Sequence, residues 1–232
     1  MREIVLDTET TGLDPNKGDR LVEIGAVEIS NLIPTGRVYH AYINPERDMP
    51  DEAFRVHGLS QEFLSGHKKF AEVAEAFLDF IEESPLIIHN AEFDMGFINA
   101  ELAGLSRPKL GMDRVIDTLT LARRRHPGAS NSLDALCSRY GVDASRREKH
   151  GALLDATLLA EVYAELMGGR QSALLLQSEQ RAAAESDEPL LRSRPAPLAL
   201  RLSAEEDAAH RAFVATLGKA PIWKRYEPES AQ

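Results

Sequence analysis

The feature that most constrains the fold is an alternation of strand-like and helix-like segments through the first 170 residues. Short apolar runs indicate buried strands, and apolar residues spaced three and four apart indicate helices. The predicted strands cover residues 3–7, 21–29, 37–43 and 86–89. The predicted helices cover residues 68–83, a run after Asn90 that contains Phe93, Phe97, Ile98 and Leu102, and residues 132–140 and 152–167. Three strands followed by alternating helices and strands predict an α/β domain with a mixed sheet.

The composition changes after this domain. Residues 177–202 are rich in Ala, Ser, Glu, Arg and Pro and have little periodicity, which is typical of a flexible linker. Ser203 and Glu206 then have the spacing of a capping box, so a short helix is predicted there. Trp223 lies in a segment that is too short to bury it. This tail either folds back on its own domain or docks on a partner, and the residues leave both interpretations open.

The composition also excludes several classes of protein. With 43% hydrophobic residues the chain can bury a sizeable core, so it is not disordered as a whole. Its single cysteine, Cys137, excludes a disulfide scaffold and a multi-cysteine zinc module. The apolar runs are far shorter than the ~20 residues that a membrane span needs, and residues 1–7 do not resemble a signal peptide. We therefore expect a cytoplasmic protein with no membrane partner.

The formal net charge of -10 limits how the chain could bind nucleic acid. Proteins that hold nucleic acid by neutralising phosphates are usually basic, so a non-specific DNA coat is disfavoured. An enzyme that concentrates carboxylates to hold divalent metals remains compatible with this charge, because the metals supply the positive charge.

The first candidate site is the segment DTETTG, at residues 7–12. Asp7 and Glu9 are two apart on an extended segment, so both carboxylates point from the same face. Two like charges at the end of a buried strand are unfavourable unless a partner neutralises them, and Mg²⁺ prefers carboxylate oxygen. A solvated strand end with two ordinary acids is the alternative.

Three further residues point to the same chemistry. Asp94 opens a helix after a buried strand, where an acid is also expected simply because it favours the positive end of the helix dipole. Asp155 lies among leucines inside a helix and needs a partner or a metal. His150 precedes that helix and is either an ordinary surface histidine or a residue that faces the same centre.

Together the segments DTETTG, HNAEFD and HGALLD resemble the DEDD superfamily of exonucleases, over residues 2–167. The spacing of His150 and Asp155, with four residues between them, resembles the histidine branch of that superfamily, DEDDh. The segment Arg55–Leu59 and the extension beyond the domain resemble the family of epsilon, or proofreading, subunits of bacterial DNA polymerase III.

This resemblance implies a ribonuclease-H-like mixed sheet flanked by helices, with a domain of residues 1–170 that removes mismatched 3′-terminal nucleotides from DNA. By resemblance, two Mg²⁺ or Mn²⁺ ions would be held by Asp7, Glu9, Asp94 and Asp155, and His150 would be the general base. The residues expected near the terminal nucleotide are Thr10, Gly12, His57 and Phe93. For His57 the alternative is a turn residue, and for Phe93 a core aromatic.

The resemblance also implies partners besides a single-stranded or frayed DNA 3′ end. Residues 171–176 resemble a peptide that binds the sliding clamp, with Gln171, Leu174 and Leu176 as anchors. Residues 203–232 would dock on the catalytic, or alpha, subunit of DNA polymerase III through Phe213 and Trp223.

Other functions stay open from the sequence alone. An exonuclease that acts on RNA ends or in repair would use the same five catalytic residues. A non-catalytic adaptor between polymerase and clamp is the alternative of a different class. The basic stretches Arg123–Arg125 and Arg146–Arg147 either contact a phosphate backbone or form solvated surface.

Overall fold

A computed structural model describes residues 1–145, 147, 149–168 and 203–217. The chain divides into two units, Met1–Leu176 and Gln177–Gln232. The predicted linker and the predicted anchors Gln171, Leu174, Leu176 and Trp223 lie outside the described residues. Among the helices of the described ranges, none has both the length and the apolar character needed to cross a bilayer.

The first unit is built around a mixed five-stranded sheet. The strands are β1 (Arg2–Thr10), β2 (Leu21–Ser30), β3 (Ile33–Tyr42), β4 (Leu86–Ile88) and β5 (Val115–Asp117), in the spatial order β3-β2-β1-β4-β5. Strands β3, β2 and β1 are antiparallel neighbours, whereas β4 and β5 continue the sheet in parallel with β1. The predicted α/β class with a mixed sheet is therefore confirmed.

Seven α-helices lie in the described part of this unit. They are α1 (Asp51–His57), α2 (Gln61–Ser65), α3 (Phe70–Ile81), α4 (Ala91–Gly104), α5 (Thr118–Arg125), α6 (Leu133–Tyr140) and α7 (Ala152–Leu166). Two 3-10 turns, Pro15–Lys17 and Met112–Arg114, complete the elements. The four helices predicted from periodicity correspond to α3, α4, α6 and α7.

Several boundaries differ from the sequence-based prediction. Strand β1 continues to Thr10, three residues beyond the predicted end, because its ladder with β2 runs on to the pair Thr10–Leu21. Strand β3 begins at Ile33, four residues before the predicted start. Strand β5 and helices α1, α2 and α5 were not predicted, because each is short and its sequence shows no clear apolar period.

The two faces of the sheet carry separate apolar layers. Because successive side chains of a strand alternate between faces, Ile4 and Leu6 join one layer and Val5 joins the other. The first layer packs against α3 and α4, with Phe77 and Phe97 fully or almost fully buried. The second packs against α7, through residues that include Tyr163.

Gly25 sets how closely α7 approaches the sheet. It pairs with Asp7 across the β1–β2 ladder. A Cβ atom at Gly25 would lie 2.1 Å from the backbone nitrogen of Leu153 and 2.2 Å from the carbonyl carbon of Ala152. The first turn of α7 therefore contacts the strand backbone directly, and this contact holds that turn beside Asp7.

The described part of the second unit is one helix, α8 (Ala204–Thr216). The predicted capping box is present, since Glu206 N donates to Ser203 Oγ (3.3 Å) and Ser203 N donates to Glu206 Oε2 (2.8 Å). Phe213, one of the predicted docking residues, is 61% exposed on this helix.

Replacing Gly25 by Ala should push the start of α7 away from the sheet. Because the obstructing atoms are backbone atoms, we expect a loss of about 1–3 kcal/mol in the free energy of unfolding. Urea unfolding monitored by circular dichroism measures this loss. Gly96→Ala is the matched control, because Gly96 lies inside α4 with open space around its Cβ position, and Ala there should stabilise by about 1 kcal/mol at most. Equal effects of the two substitutions would contradict this account of Gly25.

Candidate active site

The end of β1 supplies two of the predicted acids. Asp7 and Glu9 alternate with Thr8 on the strand, so both carboxylates lie on the face that α7 covers. Across the ladder Asp7 faces Gly25, and Glu9 faces the buried carboxylate of Glu23. Glu9 is itself only 8% exposed.

Helix α4 brings the third acid from the opposite face of the sheet. Strands β1 and β4 are parallel, so the residues that follow β4 start at the same edge as the end of β1. Asn90 turns the chain with a positive φ of 66°, and α4 begins directly after it. Asp94 lies in the first turn of α4, almost fully buried, and its Oδ1 accepts a hydrogen bond of 2.7 Å from Thr8 Oγ1.

Helix α7 and the loop before it supply the last two predicted residues. Asp155 lies in the first turn of α7 and is 3% exposed. His150 Nδ1 is 3.3 Å from Asp155 Oδ2. One ligand atom each from Glu9, His150 and Asp155 lies within 4.8 Å of the others, which is a distance that one metal ion could bridge.

The crowding of these acids changes their proton affinity. Burial raises the pKa of Glu9 to about 8, together with the nearby carboxylates of Asp155, Glu23 and Asp94. Burial also raises the pKa of Asp94 to about 7, against the opposing effect of the Thr8 hydrogen bond. Burial and the nearby carboxylates of Asp94, Glu9 and Asp155 raise the pKa of Asp7 well above its usual range. The cluster thus carries more negative charge than its surroundings stabilise, and its oxygen donors fit a hard divalent cation.

A cavity of about 550 Å³ opens beside Glu9. Its lining includes Glu9 and all four residues predicted to lie near the terminal nucleotide, namely Thr10, Gly12, His57 and Phe93. Phe93 also packs against Phe97 in the core, with ring centroids 5.0 Å apart. Phe93 therefore both lines the cavity and packs in the core, so it has features of a substrate-binding residue and of a core aromatic.

His57 is buried at the end of α1 and not in a turn. The backbone N–H of Leu59 donates to its Nδ1 at 3.0 Å, so the neutral ring carries its proton on Nε2. Within the described residues, Nε2 has no hydrogen-bond partner. Burial lowers the pKa of His57 to about 4, against a smaller opposing effect of the Thr10 backbone. A neutral N–H donor thus lies in the wall of the cavity.

Arg147 is the residue of this site that the sequence did not identify. Its Nε and Nη2 donate to Asp155 Oδ1 and Oδ2, each at 2.6 Å, and Nη2 also donates to His150 Nδ1 at 2.7 Å. Its Nη1 pairs with Asp134 on α6. The sequence left open whether this arginine contacts a phosphate backbone or forms solvated surface. Its side chain does neither, because it is 8% exposed and paired with these acids. Only the position of Arg147 three residues before His150 could have signalled this role.

The raised pKa values predict how the stability of the metal-free protein depends on pH. Glu9 and Asp94 have folded-state pKa values of about 8 and about 7, above the ordinary values of 4.5 and 3.8. The folded protein therefore holds these protons more tightly, and the free energy of unfolding should fall as pH rises from about 4 to about 8. At pH 8 in EDTA, Glu9→Gln should raise Tm by about 2–4 °C, on the order of 1 kcal/mol.

Differential scanning calorimetry of both proteins at pH 5 and pH 8 measures this effect. Added Mg²⁺ or Mn²⁺ should raise the Tm of the unaltered protein more at pH 8 than at pH 5, because metal binds the ionised carboxylates. A Glu9→Gln protein that melts below the unaltered protein at pH 8 in EDTA would contradict the assignment.

Known proteins similar to this chain are exonucleases and epsilon subunits. The family model described as Exonuclease (RNase_T) matches residues 4–163. A DNA polymerase III subunit epsilon of Rickettsia felis is 49% identical over 224 residues, covering 94% of this chain and 98% of the relative. The DNA polymerase III subunit epsilon of Escherichia coli is 43% identical over 236 residues, covering 96% and 97%.

Among solved structures, the nuclease domain of 3′hExo, a DEDDh family member bound to rAMP, matches with a TM-score of 0.63 and 15% identity. That likeness covers 72% of this chain and 91% of the other, and it supports the predicted ribonuclease-H-like fold. The family model and the two near-full-length relatives show to which family the chain belongs. The chain belongs to the DEDD family of exonucleases and, within it, to the epsilon subunits of bacterial DNA polymerase III.

Proposed function

We propose that this chain removes mismatched nucleotides from the 3′ end of DNA by hydrolysis and that Asp7, Glu9, Asp94 and Asp155 hold the divalent ions for this reaction. The observation that carries the proposal is the clustering of four carboxylates from β1, α4 and α7, one of which, Glu9, also lines the cavity. Membership of an exonuclease family supplies the reaction class.

The family uses divalent metal ions, and we propose that this site holds two of them. Four carboxylates, when ionised, balance the charge of two Mg²⁺ or Mn²⁺ ions. Such a pair, when bound, activates a water and stabilises the leaving oxygen of an in-line displacement. The raised pKa values of Glu9 and Asp94 are the supporting observation, because a divalent charge offsets the repulsion that causes them.

His150 is the residue that would take the proton of the attacking water. Imidazole accepts a proton near neutral pH more readily than other side chains. Its ring is half exposed at the rim of the carboxylate cluster, 3.3 Å from Asp155. It can therefore pass the proton on to solvent after each turnover.

The terminal nucleotide would lie in the cavity beside Glu9. The volume of about 550 Å³ is in the range of small-molecule sites. Phe93 offers a ring face or edge to the base or the sugar, and the Nε2–H of His57 offers a hydrogen bond that no described residue of the chain accepts. At Gly12, a Cβ atom would lie 2.3 Å from Asp19 Oδ2, so a side chain there would disturb the turn that borders the cavity.

Selection of mismatched ends follows from the cost of separating strands. Exposing a paired 3′ end costs on the order of 1.4 kcal/mol per stacked step, and a mismatched end has already lost much of that stacking. A cavity that accepts only an unpaired terminal nucleotide therefore favours frayed ends without reading the wrong base.

The tail would connect the nuclease to the replicating polymerase. The name of the relatives implies association with DNA polymerase III. We assign residues 171–176 to the sliding clamp and residues 203–232 to the alpha subunit, in the cytoplasm. The exposed Phe213 supports the second assignment. Tethering through residues 177–202 would raise the effective concentration of the nuclease at the primer end.

Replacing Asp7 by Ala should abolish hydrolysis while the protein stays folded. Loss of a metal ligand should lower kcat by more than the roughly 10- to 100-fold that loss of an outer partner costs. The measurement uses 5′-labelled single-stranded DNA and RNA of the same sequence, with and without Mg²⁺, and follows shortening from the 3′ end. The control is Asp79→Ala on the exposed face of α3, which should keep full activity.

Each outcome of this assay has a definite meaning. Metal-dependent shortening of single-stranded DNA, much faster than of RNA, agrees with a DNA exonuclease. On a primer–template duplex, faster removal of a mismatched than of a paired 3′ nucleotide agrees with proofreading. A preference for RNA would assign the chain to RNA-end processing. Full activity of Asp7→Ala would overturn the metal assignment, and a folded, metal-loaded protein that cleaves neither substrate would favour the adaptor.

Removing the tail should separate hydrolysis from partner binding. A chain that ends after Gly169 should keep its activity on single-stranded DNA, because the carboxylates and the cavity belong to residues 1–168. It should bind the alpha subunit at least about 10-fold more weakly than the full chain, measured by surface plasmon resonance. If the truncated chain binds the alpha subunit as tightly as the full chain, the docking assignment is wrong.

A further inference from the structure

Arg147 connects three parts of the active site through one side chain. Its guanidinium reaches Asp134 in the first turn of α6, Asp155 in the first turn of α7 and His150 in the intervening loop. The group is planar, and its N–H donors diverge in fixed directions. The bidentate pair with Asp155 therefore fixes the plane of the guanidinium, and that plane determines where His150 Nδ1 can lie.

The position of His150 depends on such an anchor. Its side chain is 47% exposed, so packing alone holds it weakly. Its backbone N–H reaches the carbonyl of Val56 on α1 at 3.3 Å, which is a long hydrogen bond. Because Arg147 can only donate, the 2.7 Å bond makes His150 Nδ1 the acceptor and directs Nε2 away from the guanidinium.

Asp155 depends on the same group. A buried carboxylate is unfavourable without a partner, and Arg147 donates one hydrogen bond to each of its oxygens. Each oxygen keeps a second lone pair for a metal ion. The bidentate geometry thus orients the carboxylate without using up its capacity as a ligand.

Asp134 lies outside the carboxylate cluster and reaches it only through this arginine. Its side chain is 67% exposed on α6, and its Oδ1 accepts from Nη1, on the far side of the guanidinium from His150. This contact keeps the arginine from rotating out toward solvent.

We propose that Arg147, anchored by Asp134, is a positioning residue that holds the proposed base His150 and the proposed metal ligand Asp155 in fixed orientation to each other. The inference rests on the proposed hydrolytic function and adds a residue that does not touch the reacting atoms. It also gives Asp134, an exposed residue, a measurable effect on turnover.

Arg147→Lys tests geometry at constant charge. Lysine keeps the positive charge but cannot bridge both Asp155 oxygens and His150 at once. We expect kcat on 5′-labelled single-stranded DNA to fall about 10- to 100-fold while KM changes less than about 3-fold, since partners of metal ligands have effects of this size. We also expect Mn²⁺ to bind more weakly, by up to about 10-fold, as measured by electron paramagnetic resonance without substrate.

Asp134→Asn tests the anchor with a variant at an exposed position. We expect kcat to fall about 3- to 10-fold with KM unchanged, because a neutral amide holds the guanidinium less firmly. In an Arg147→Met background, which has no donors, the same Asp134→Asn change should have no further effect on kcat. A purely structural role of Asp134 would instead give the same loss in both backgrounds.

The controls separate failure of this inference from failure of the proposed function. Arg107→Lys and Asp79→Asn change exposed residues of the same kinds and should leave kcat and Mn²⁺ affinity unchanged. If the unaltered chain hydrolyses DNA but Arg147→Lys matches it in kcat and Mn²⁺ affinity, Arg147 does not position the site. An additive effect of Asp134→Asn in the Arg147→Met background would also overturn the proposal. Absence of hydrolysis by the unaltered chain would instead refute the function.

Discussion

The repulsion among four buried or partly buried carboxylates is the constraint on which the rest of this structure depends. Ionised carboxylates are more stable in water and apart from one another, but the sheet and two helices hold these four close together. The pKa of Glu9, raised to about 8, and that of Asp94, raised to about 7, show that the site is unfavourable when fully ionised. The apolar layers on both faces of the sheet must offset this free energy. The arrangement is typical of a functional site, where local stability is lost to place charges for a ligand.

No single element could place these four groups. Two acids come from one strand, and one comes from each of two helices that pack on opposite faces of the sheet. A slip of one residue in the β1–β2 register would turn Asp7 and Glu9 to the other face. Gly25 adds a second condition, because only a residue without a Cβ atom lets the first turn of α7 lie against the strand beside Asp7. The site is therefore a product of sheet register and helix approach, and both are fixed far from any catalytic atom.

The sequence predicted the parts of this architecture that repeat over many residues. Helices α3, α4, α6 and α7 and the longer strands were predicted because hydrophobic periodicity extends along them. The acids were identifiable because three short segments occur in the order and spacing of a known superfamily. Strand β5 and helix α1 were missed, since each is short and, unlike the all-apolar run of β4, shows no clear apolar pattern. Arg147 was missed for a different reason: a charged residue in a loop has no local signature that tells an inward side chain from an outward one.

The inward position of Arg147 bears on how an acidic chain can bind an anionic substrate. Its guanidinium is already bonded to Asp155 and Asp134, so it is not available to hold a phosphate. With a net charge of -10, the chain as a whole repels DNA. On the proposed function, attraction to the phosphodiester must therefore come mainly from the bound metal ions and from the cavity that takes the terminal nucleotide. Substrate binding and catalysis would then depend on the same carboxylates, and the nuclease would have little affinity for DNA away from a 3′ end. Such weak binding elsewhere suits a nuclease that a partner delivers to its substrate.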